Sequence, residues 1–266
     1  MKRLLLSLFL VGSCLAADIP ASKLQEASVT VLTSRSSGSG SLFTRTNAEG
    51  NVVTFCWTAA HVVSSERYEY SGIMDGVPRQ FVAFNDVTVS QPIVEDDRIV
   101  GSVDSLAEVI RYSNMFTGED LAVLRLRMTR LPGNSGSITF YRGADTPKVG
   151  TEVVHVGSLL GPFGGNSFTP GVVSFNGRLL DNVVYDQTSV VAYPGSSGGG
   201  VFLRDGRFVG MLVRGAGVGY NLIVPVRRLE KWAKKAGVLW AIDAAVPMPS
   251  AEKLELLPVE HFPPPK

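Results

Sequence analysis

The feature of this sequence that most constrains its fold is the near absence of helical periodicity before residue 225. Short runs rich in β-branched and aromatic residues alternate with clusters of Gly, Ser, Asn and Asp, a pattern typical of a sandwich or a barrel. Two halves share this texture, which predicts an all-β protein of two antiparallel barrels, since closure removes exposed sheet edges. The predicted strands are 29–33, 42–44, 52–57, 80–84, 87–89, 107–112, 121–126, 152–156, 171–175, 182–185, 200–203, 208–213 and 220–224.

The segments between these strands differ in composition. The Gly/Ser run 36–41 is predicted to be a turn, and the divergent stretch 64–118 is expected to carry an extra hairpin or a lid. The polar stretch 128–147 is read as a linker with a short strand at 137–141.

The end of the chain contains one predicted helix and a tail. Val226, Leu229 and Trp232 lie at spacings of three, which predicts an amphipathic helix over 226–236 with a solvated Arg/Lys face. From residue 246 to 266 there are six prolines and no periodicity, which predicts a disordered tail.

The N-terminus resembles an export signal over residues 1–17. Lys2 and Arg3 precede an apolar run and small residues through Ala17, and the run is shorter than the ~20 residues that span a bilayer. Cleavage after Ala17 would release a soluble protein, whereas 11–14 also resembles a lipoprotein box with Cys14 as the lipidated residue. We expect a soluble periplasmic or secreted protein, with a lipoprotein or a retained anchor as alternatives.

Charge and metal-ligating residues exclude several functions. With a net charge of +1, the chain lacks the excess of basic residues that binding to nucleic acid or to an anionic membrane surface requires. One cysteine, Cys56, remains in the exported domain if Cys14 is removed, and the three histidines are scattered at 61, 155 and 261. We therefore predict no disulfide, no metal site and no cofactor, with Cys56 as a buried thiol and contact with a membrane only through a lipidated Cys14.

A glycine-rich turn at 193–202 is the first candidate functional element. Ser197 lies among glycines immediately before an apolar run. Such a turn can expose a hydroxyl beside two backbone N–H groups, as an acyl-transfer nucleophile requires.

His61 and Asp120 are the candidate partners of Ser197. His61 follows an apolar strand and a small-residue turn, and its side chain can exchange protons near neutral pH. Asp120 opens the apolar strand 121–126, where a desolvated carboxylate can orient an imidazole. His155 lies in mid-strand and is expected to be non-catalytic.

The order His61, Asp120, Ser197, with the flanking residues, resembles the trypsin-like serine proteases and within them the high-temperature-requirement (HtrA) branch. The resemblance covers about residues 24–240 and rests most on the three stretches around the triad. The matching stretches are 58–62, 120–124, 194–199, 156–158, 161–164, 169–174, 187–188 and 205–210.

The resemblance implies a protease domain over 22–245, with a first barrel at 24–127, a second at 146–225 and the triad in the cleft between them. It implies that the backbone N–H groups of Gly195 and Ser197 form the oxyanion hole. It also implies a substrate pocket, for which we predict no carboxylate at the base and a preference for small to medium aliphatic residues; an Arg214 side chain that pointed inward would instead favour Asp or Glu. The predicted pocket residues are Val191, Ala192, Tyr193, Val213, Arg214 and Gly215.

The sequence departs from the family in several places. Ser196 stands where digestive relatives have an aspartate, Gly200 where many relatives have proline, and the sequence after residue 245 is too short for a PDZ domain. Gly133-Asn134-Ser135-Gly136 also looks like a nucleophile turn, but it lies in the predicted linker before any second-barrel strand, so we reject Ser135.

We therefore predict an exported serine endopeptidase that acts on proteins or peptides in quality control or processing, in an oligomeric state that the sequence leaves open. One alternative is a viral or phage processing protease of the same fold. The other is a catalytically inactive protease fold used as a binding module.

Overall fold

The described chain is built mainly of strands, as the sequence predicts. The computed structural model describes residues 19–96, 98–128, 136–143, 145–256 and 258–260. The strands of the first half are β1 Ser28–Leu32, β2 Ser37–Thr46, β3 Val52–Thr58, β4 Arg67–Met74, β5 Val77–Phe84, β6 Val87–Glu95, β7 Arg98–Ser113 and β8 Leu121–Leu126. Those of the second half are β9 Thr139–Phe140, β10 Glu152–Leu159, β11 Gly164–Leu180, β12 Val183–Thr188, β13 Gly200–Leu203, β14 Arg207–Gly215 and β15 Asn221–Pro225.

Six strands of the first half form a closed antiparallel barrel in the order β1-β2-β3-β8-β7-β6, and β6 pairs back onto β1. Its core is aromatic at one end. Phe43 and Phe55 stack with ring centroids 5.2 Å apart, and Trp240 meets Phe55 edge-on at 4.8 Å. Because Trp240 comes after the last strand of the second half, this packing ties the segment beyond that strand to the first barrel.

The second barrel uses the strands β13-β10-β11-β12-β15-β14, and the pairing of β13 with β14 closes the circuit. The two-residue strand β9 adds parallel to β14 and falls inside the short strand predicted at 137–141. Val153, Val201, Leu212 and Ile223 belong to the apolar core of this barrel. The all-β architecture of two barrels followed by a helix is therefore confirmed.

The prediction of a turn at 36–41 is wrong, because β2 begins at Ser37 and pairs with β1 through the whole Gly/Ser run. Glycine and serine have low strand propensity, which is why their composition indicated a turn. The structure shows why small residues stand here: a Cβ on Gly38 would lie 2.5 Å from the Val62 side chain and 3.0 Å from the Ser197 carbonyl oxygen.

The stretch 64–118 contains a separate two-stranded hairpin of β4 and β5. Asp75 and Gly76 form its turn with positive φ values of 54° and 75°, the geometry that Asp-Gly favours in tight hairpins. The sequence predicts an extra hairpin or a lid in this stretch, and a hairpin is what the structure contains.

Four helices are described: α1 Ala21–Glu26, α2 Ala60–Val63, α3 Val226–Lys235 and α4 Ala251–Leu256. Helix α3 occupies the predicted position and buries Leu229 and Trp232. The prediction of a solvated Arg/Lys face is wrong at Arg228. Its side chain is only 9% exposed and donates to the Glu119 carboxylate and the Val184 carbonyl. None of the helices in the described ranges has the length and apolarity needed to cross a bilayer.

The described part of 246–260 is folded onto the first barrel, in contrast to the disordered tail that composition predicts. Helix α4 buries Leu254, whose carbonyl accepts hydrogen bonds from the buried guanidinium of Arg111. Beyond it, the Val259 carbonyl accepts from the Tyr112 backbone, and the Glu260 carboxylate binds Arg67. A few anchoring contacts hold this segment, and a proline-rich composition carries no sign of them.

Candidate active site

His61 lies at the mouth of the first barrel, where β3 ends at Thr58 and the one-turn helix α2 begins. Ala59, with an extended backbone (φ −74°, ψ 140°), separates the strand from the helix. Its Nδ1 is 2.9 Å from Asp120 Oδ2, and its backbone N–H donates to Asp120 Oδ1 at 3.0 Å. An ionised carboxylate only accepts, so Nδ1 carries the proton in this contact and Nε2 keeps a lone pair for a substrate-side proton.

Asp120 is held rigidly, with 1% of its surface exposed, directly before β8. Its φ of 58° lies in the left-handed region, which aspartate tolerates better than most side chains. The preceding residue, Glu119, donates its backbone N–H to Ser113 Oγ at 2.8 Å. Its carboxylate binds the guanidinium of Arg228 at 2.6 and 2.8 Å, so the loop before Asp120 is fastened to α3.

Arg228 is a supporting residue that sequence reasoning missed. Besides Glu119, it donates to the Val184 carbonyl at 2.8 Å, and its guanidinium lies 4.7 Å from the Tyr185 ring centroid. Arg228 therefore connects the loop of Asp120, in the first barrel, to β12 of the second. Helix periodicity places it on a basic face, so no local signal distinguishes it from the exposed lysines.

Ser197 occupies a turn shaped by two glycines with positive φ, Gly195 at 95° and Gly198 at 90°. Within the described residues, the backbone N–H groups of Gly195 and Ser197 donate to no protein acceptor. The neighbouring N–H groups do: Ser196 donates to Tyr193 at 2.9 Å and Gly198 to Leu212 at 2.8 Å. The two free donors are the ones that the family resemblance implies for an oxyanion hole.

The two halves of the candidate site meet across β2. The Ser39 backbone N–H donates to the Ser197 carbonyl at 2.7 Å. A Cβ on Gly198 would lie 2.5 Å from Thr58 Oγ1 and 3.0 Å from the Ala59 nitrogen, so the nucleophile turn abuts the start of the His61 turn. His61 and Asp120 are thus in direct contact, and Ser197 lies on the adjoining turn of the second barrel.

A cavity of about 230 Å³ opens beside Ser197. Five of the six predicted pocket residues line it; Val191 does not, and its carbonyl instead accepts a hydrogen bond from Thr169 Oγ1 at 3.1 Å. The Arg214 guanidinium is 3.3 Å from the exposed Asp181 carboxylate. The lining residues are Ala192, Tyr193, Pro194, Ser197, Leu212, Val213, Arg214, Gly215 and Gly217.

Asn221 braces the rim of this cavity and was also missed from the sequence. It is fully buried, and its Nδ2 donates to the carbonyl of Gly217, which lines the cavity, and to the carbonyl of Val190. Two carbonyls can only accept, so the amide orientation is fixed. Oδ1 then points at Gly215, where a Cβ would overlap it.

His155 lies behind the nucleophile turn and is fully buried. Burial lowers the pKa of His155 to about 4, and the nearby Ser196 backbone acts in the opposite direction. A Cβ on Gly199 would lie 2.6 Å from its Nε2, which has no hydrogen-bond partner among the described residues. This imidazole is therefore neutral and separated from solvent.

The described residues contain no group of three or more His, Cys, Asp or Glu side chains that could hold a metal ion. Cys56 is fully buried in β3, and burial raises the pKa of its thiol far above the usual range. The thiol is thus protonated and inert at neutral pH.

Comparison with known proteins finds similarity to trypsin-like peptidases. A family model described as a trypsin-like peptidase domain matches residues 38–211. Probable periplasmic DegP-like serine endoproteases from Pseudomonas fulva and Hahella chejuensis are 41% and 40% identical over 100 residues, each covering 35% of this chain. The aligned part spans only 18% and 19% of those relatives.

Two solved structures share the fold at low identity. The serine endoprotease from Yersinia pestis superposes with a TM-score of 0.56 at 19% identity, over 84% of this chain and 68% of that one. An HtrA-type protease solved with a tripeptide gives a TM-score of 0.57 at 17% identity, over 83% of this chain and 64% of that one.

Proposed function

The chain belongs to the trypsin-like peptidase domain family, and on that premise we propose that it is an exported serine endopeptidase with the triad His61, Asp120 and Ser197. The observation that carries this proposal is the double contact of Asp120 with His61. The ring Nδ1 lies 2.9 Å from Oδ2 and 3.1 Å from Oδ1, and Oδ1 also accepts from the backbone N–H, so the carboxylate favours one tautomer and one position of the imidazole.

In the proposed reaction, Ser197 Oγ attacks the carbonyl carbon of the peptide bond while His61 Nε2 takes its proton. The tetrahedral intermediate collapses, the C–N bond breaks, and His61 returns the proton to the leaving amine. Water then attacks the acyl-enzyme carbonyl while His61 takes its proton; the ester C–O bond breaks, Ser197 Oγ regains the proton from His61, and the new carboxylic acid leaves. Asp120 is 1% exposed, which supports its role of stabilising the imidazolium in a poorly solvated site.

The oxyanion of each tetrahedral intermediate would lie between the free N–H groups of Gly195 and Ser197. Donors that are fixed in place before substrate arrives need no reorganisation when charge develops. A single donor of this kind is worth about 10²–10³ in kcat.

The cavity beside Ser197 suits the residue before the cleaved bond. No Asp or Glu lines it, and Arg214 has a carboxylate partner in Asp181, so neither Lys/Arg nor Asp/Glu substrates find an obvious counter-ion. We propose a preference for Val, Ala or Leu at that position.

The DegP-like relatives are named periplasmic, which supports export of this chain. We propose that it is released by cleavage after Ala17 rather than lipidated at Cys14; both positions lie outside the described residues. We further propose that it acts on exported proteins, in their processing or removal.

A fluorophosphonate probe read by intact mass tests the function and the export form together. The exported protein should gain one adduct, on Ser197, and should begin at Asp18; an acylated Cys14 would contradict soluble release. Ser197→Ala should lose the adduct and cleave casein only at the residual level of roughly 10³–10⁴ over water. The matched control is Ser135→Ala, which removes the rejected serine of the linker, outside the described residues, and should label and cleave like the parent. An unlabelled parent would show an inactive protease fold instead.

A further inference from the structure

Ser39 is a buried serine of β2 whose every polar group contacts the active-site region. It has no exposed surface. Its backbone N–H donates to the Ser197 carbonyl at 2.7 Å, and its carbonyl accepts from Thr58 Oγ1 at 2.7 Å. Its hydroxyl makes two further bonds, to Gly195 and Ser158, both at 2.7 Å.

The direction of those two hydroxyl bonds follows from the partners alone. The Ser158 partner is a backbone N–H, which can only donate, so Ser39 Oγ accepts there. The Gly195 partner is a carbonyl oxygen, which can only accept, so the single hydroxyl proton of Ser39 points at it. The hydroxyl proton therefore has one direction, toward the Gly195 carbonyl.

Two hydrogen bonds restrain the peptide groups on the two sides of Gly195, one donated by Leu160 and one by Ser39. The Pro194 carbonyl accepts from the Leu160 N–H at 2.8 Å, and in a trans peptide the Gly195 N–H points the opposite way. The next peptide along is held through the Gly195 carbonyl by Ser39 Oγ. Glycine at φ 95° has little intrinsic preference, so both peptides need external restraint to keep one orientation.

The same hydroxyl also holds the loop that supplies Leu160. By accepting from the Ser158 N–H, Ser39 fixes the start of the segment 158–161, which packs directly on Gly195. The Ser158 hydroxyl is bound separately, to Thr30 Oγ1 at 2.6 Å. One hydroxyl of the first barrel therefore restrains both sides of the Gly195 N–H.

We propose that the Ser39 hydroxyl is a positioning group for the oxyanion hole: it keeps the Gly195 N–H directed into the site in the absence of substrate. This inference rests on the proposed peptidase function. Ser39, and not Ser196, then orders the oxyanion hole. Ser196 cannot form an ion pair, and its Oγ accepts from the nearby Tyr193 N–H at 3.1 Å.

The test is Ser39→Ala beside a matched control on the same strand. Ser41 is also buried, at 1% exposure, and lies two residues on, yet its hydroxyl has no partner among the described residues. Ser39→Ala should lower kcat for a peptide amide about ten- to a hundredfold with little change in KM, since a misdirected donor loses part of the 10²–10³ of a deleted one. Ser41→Ala should keep the parental kcat.

A transition-state analogue separates this role from a loss of stability. The Ki of a peptide boronic acid, which places an oxygen in the hole, should rise by the same factor as kcat/KM falls in Ser39→Ala. If Ser39→Ala does not fold, Ser39→Cys fills the site with a weak donor and should show the same parallel loss.

Three outcomes decide the matter. A parental kcat and boronate Ki in the Ser39 variant would overturn the inference while leaving the peptidase intact. An equal loss in Ser41→Ala would overturn it too, because it would show a packing effect common to the strand. A parent that neither labels at Ser197 nor cleaves would refute the proposed function itself, and the inference with it.

Discussion

Lowering the pH from 7 to 5 should destabilise this protein through His155, and replacing that histidine should remove the effect. His155 is fully buried in β10 behind the nucleophile turn. Burial lowers the pKa of His155 from 6.5 to about 4 in the folded state. The unfolded chain, with a normal pKa near 6.5, therefore binds a proton in this range that the folded protein refuses.

The sign and size of the change in the free energy of unfolding follow from this difference in proton binding. Stability falls as the pH drops through 6.5 and levels off below about 4, because only then do both states hold the proton. A shift of this size is worth about 3 kcal/mol in total, at 1.36 kcal/mol per pKa unit. About 2 kcal/mol of it should be lost between pH 7 and pH 5. For a chain of this length that corresponds to roughly 4–8 °C in Tm.

The assay is thermal unfolding at pH 7 and pH 5 in a Ser197→Ala background, which prevents self-cleavage. His155→Asn removes the titrating ring. Between the two pH values, the Tm of this variant should therefore fall by roughly 4–8 °C less than the Tm of its parent. Carboxylates titrate mainly below pH 5 and are the same in both proteins. An identical drop in Tm for both would refute the reasoning, as would a measured His155 pKa near 6.5.

Two further predictions concern substrate preference and activation. A peptide library read by mass spectrometry should show cleavage mainly after Val, Ala or Leu, since no Asp or Glu lines the cavity beside Ser197; dominant cleavage after Lys, Arg, Asp or Glu would show that the cavity is misassigned. A protein with several extra residues before Ala21 should be as active as the trimmed form. The Ile19 N–H donates to the Arg204 carbonyl at 3.0 Å and the Ser196 hydroxyl is satisfied locally, so strict dependence on a trimmed terminus would contradict this account.

The sequence predicts the architecture and the candidate residues because their signals are local. His61 follows a strand and Asp120 precedes one, and the structure places each at the expected strand end. The supporting groups were missed because their contacts are distant in the chain. Arg228 reaches Glu119 across 109 positions, and Arg111 reaches the Leu254 carbonyl across 143. Neither the periodicity of a helix nor the composition of a tail indicates which distant residues it will contact.

The Gly/Ser run of β2 shows that the expectation of a turn from Gly and Ser composition fails where two barrels approach closely. Ser39 and Ser41 project on the same side of the strand, as alternate residues do. They meet glycines of the second barrel: a Cβ on Gly157 would lie 2.8 Å from Ser39 Oγ, and one on Gly200 would lie 2.9 Å from Ser41 Oγ. Larger side chains would raise the strand propensity of β2 by up to ~1 kcal/mol each, but they would force the barrels apart. His61 lies on one barrel and Ser197 on the other, so this close approach of the barrels also brings the two candidate residues near each other. The small residues that look like a turn are therefore the ones that leave room for the barrels to meet.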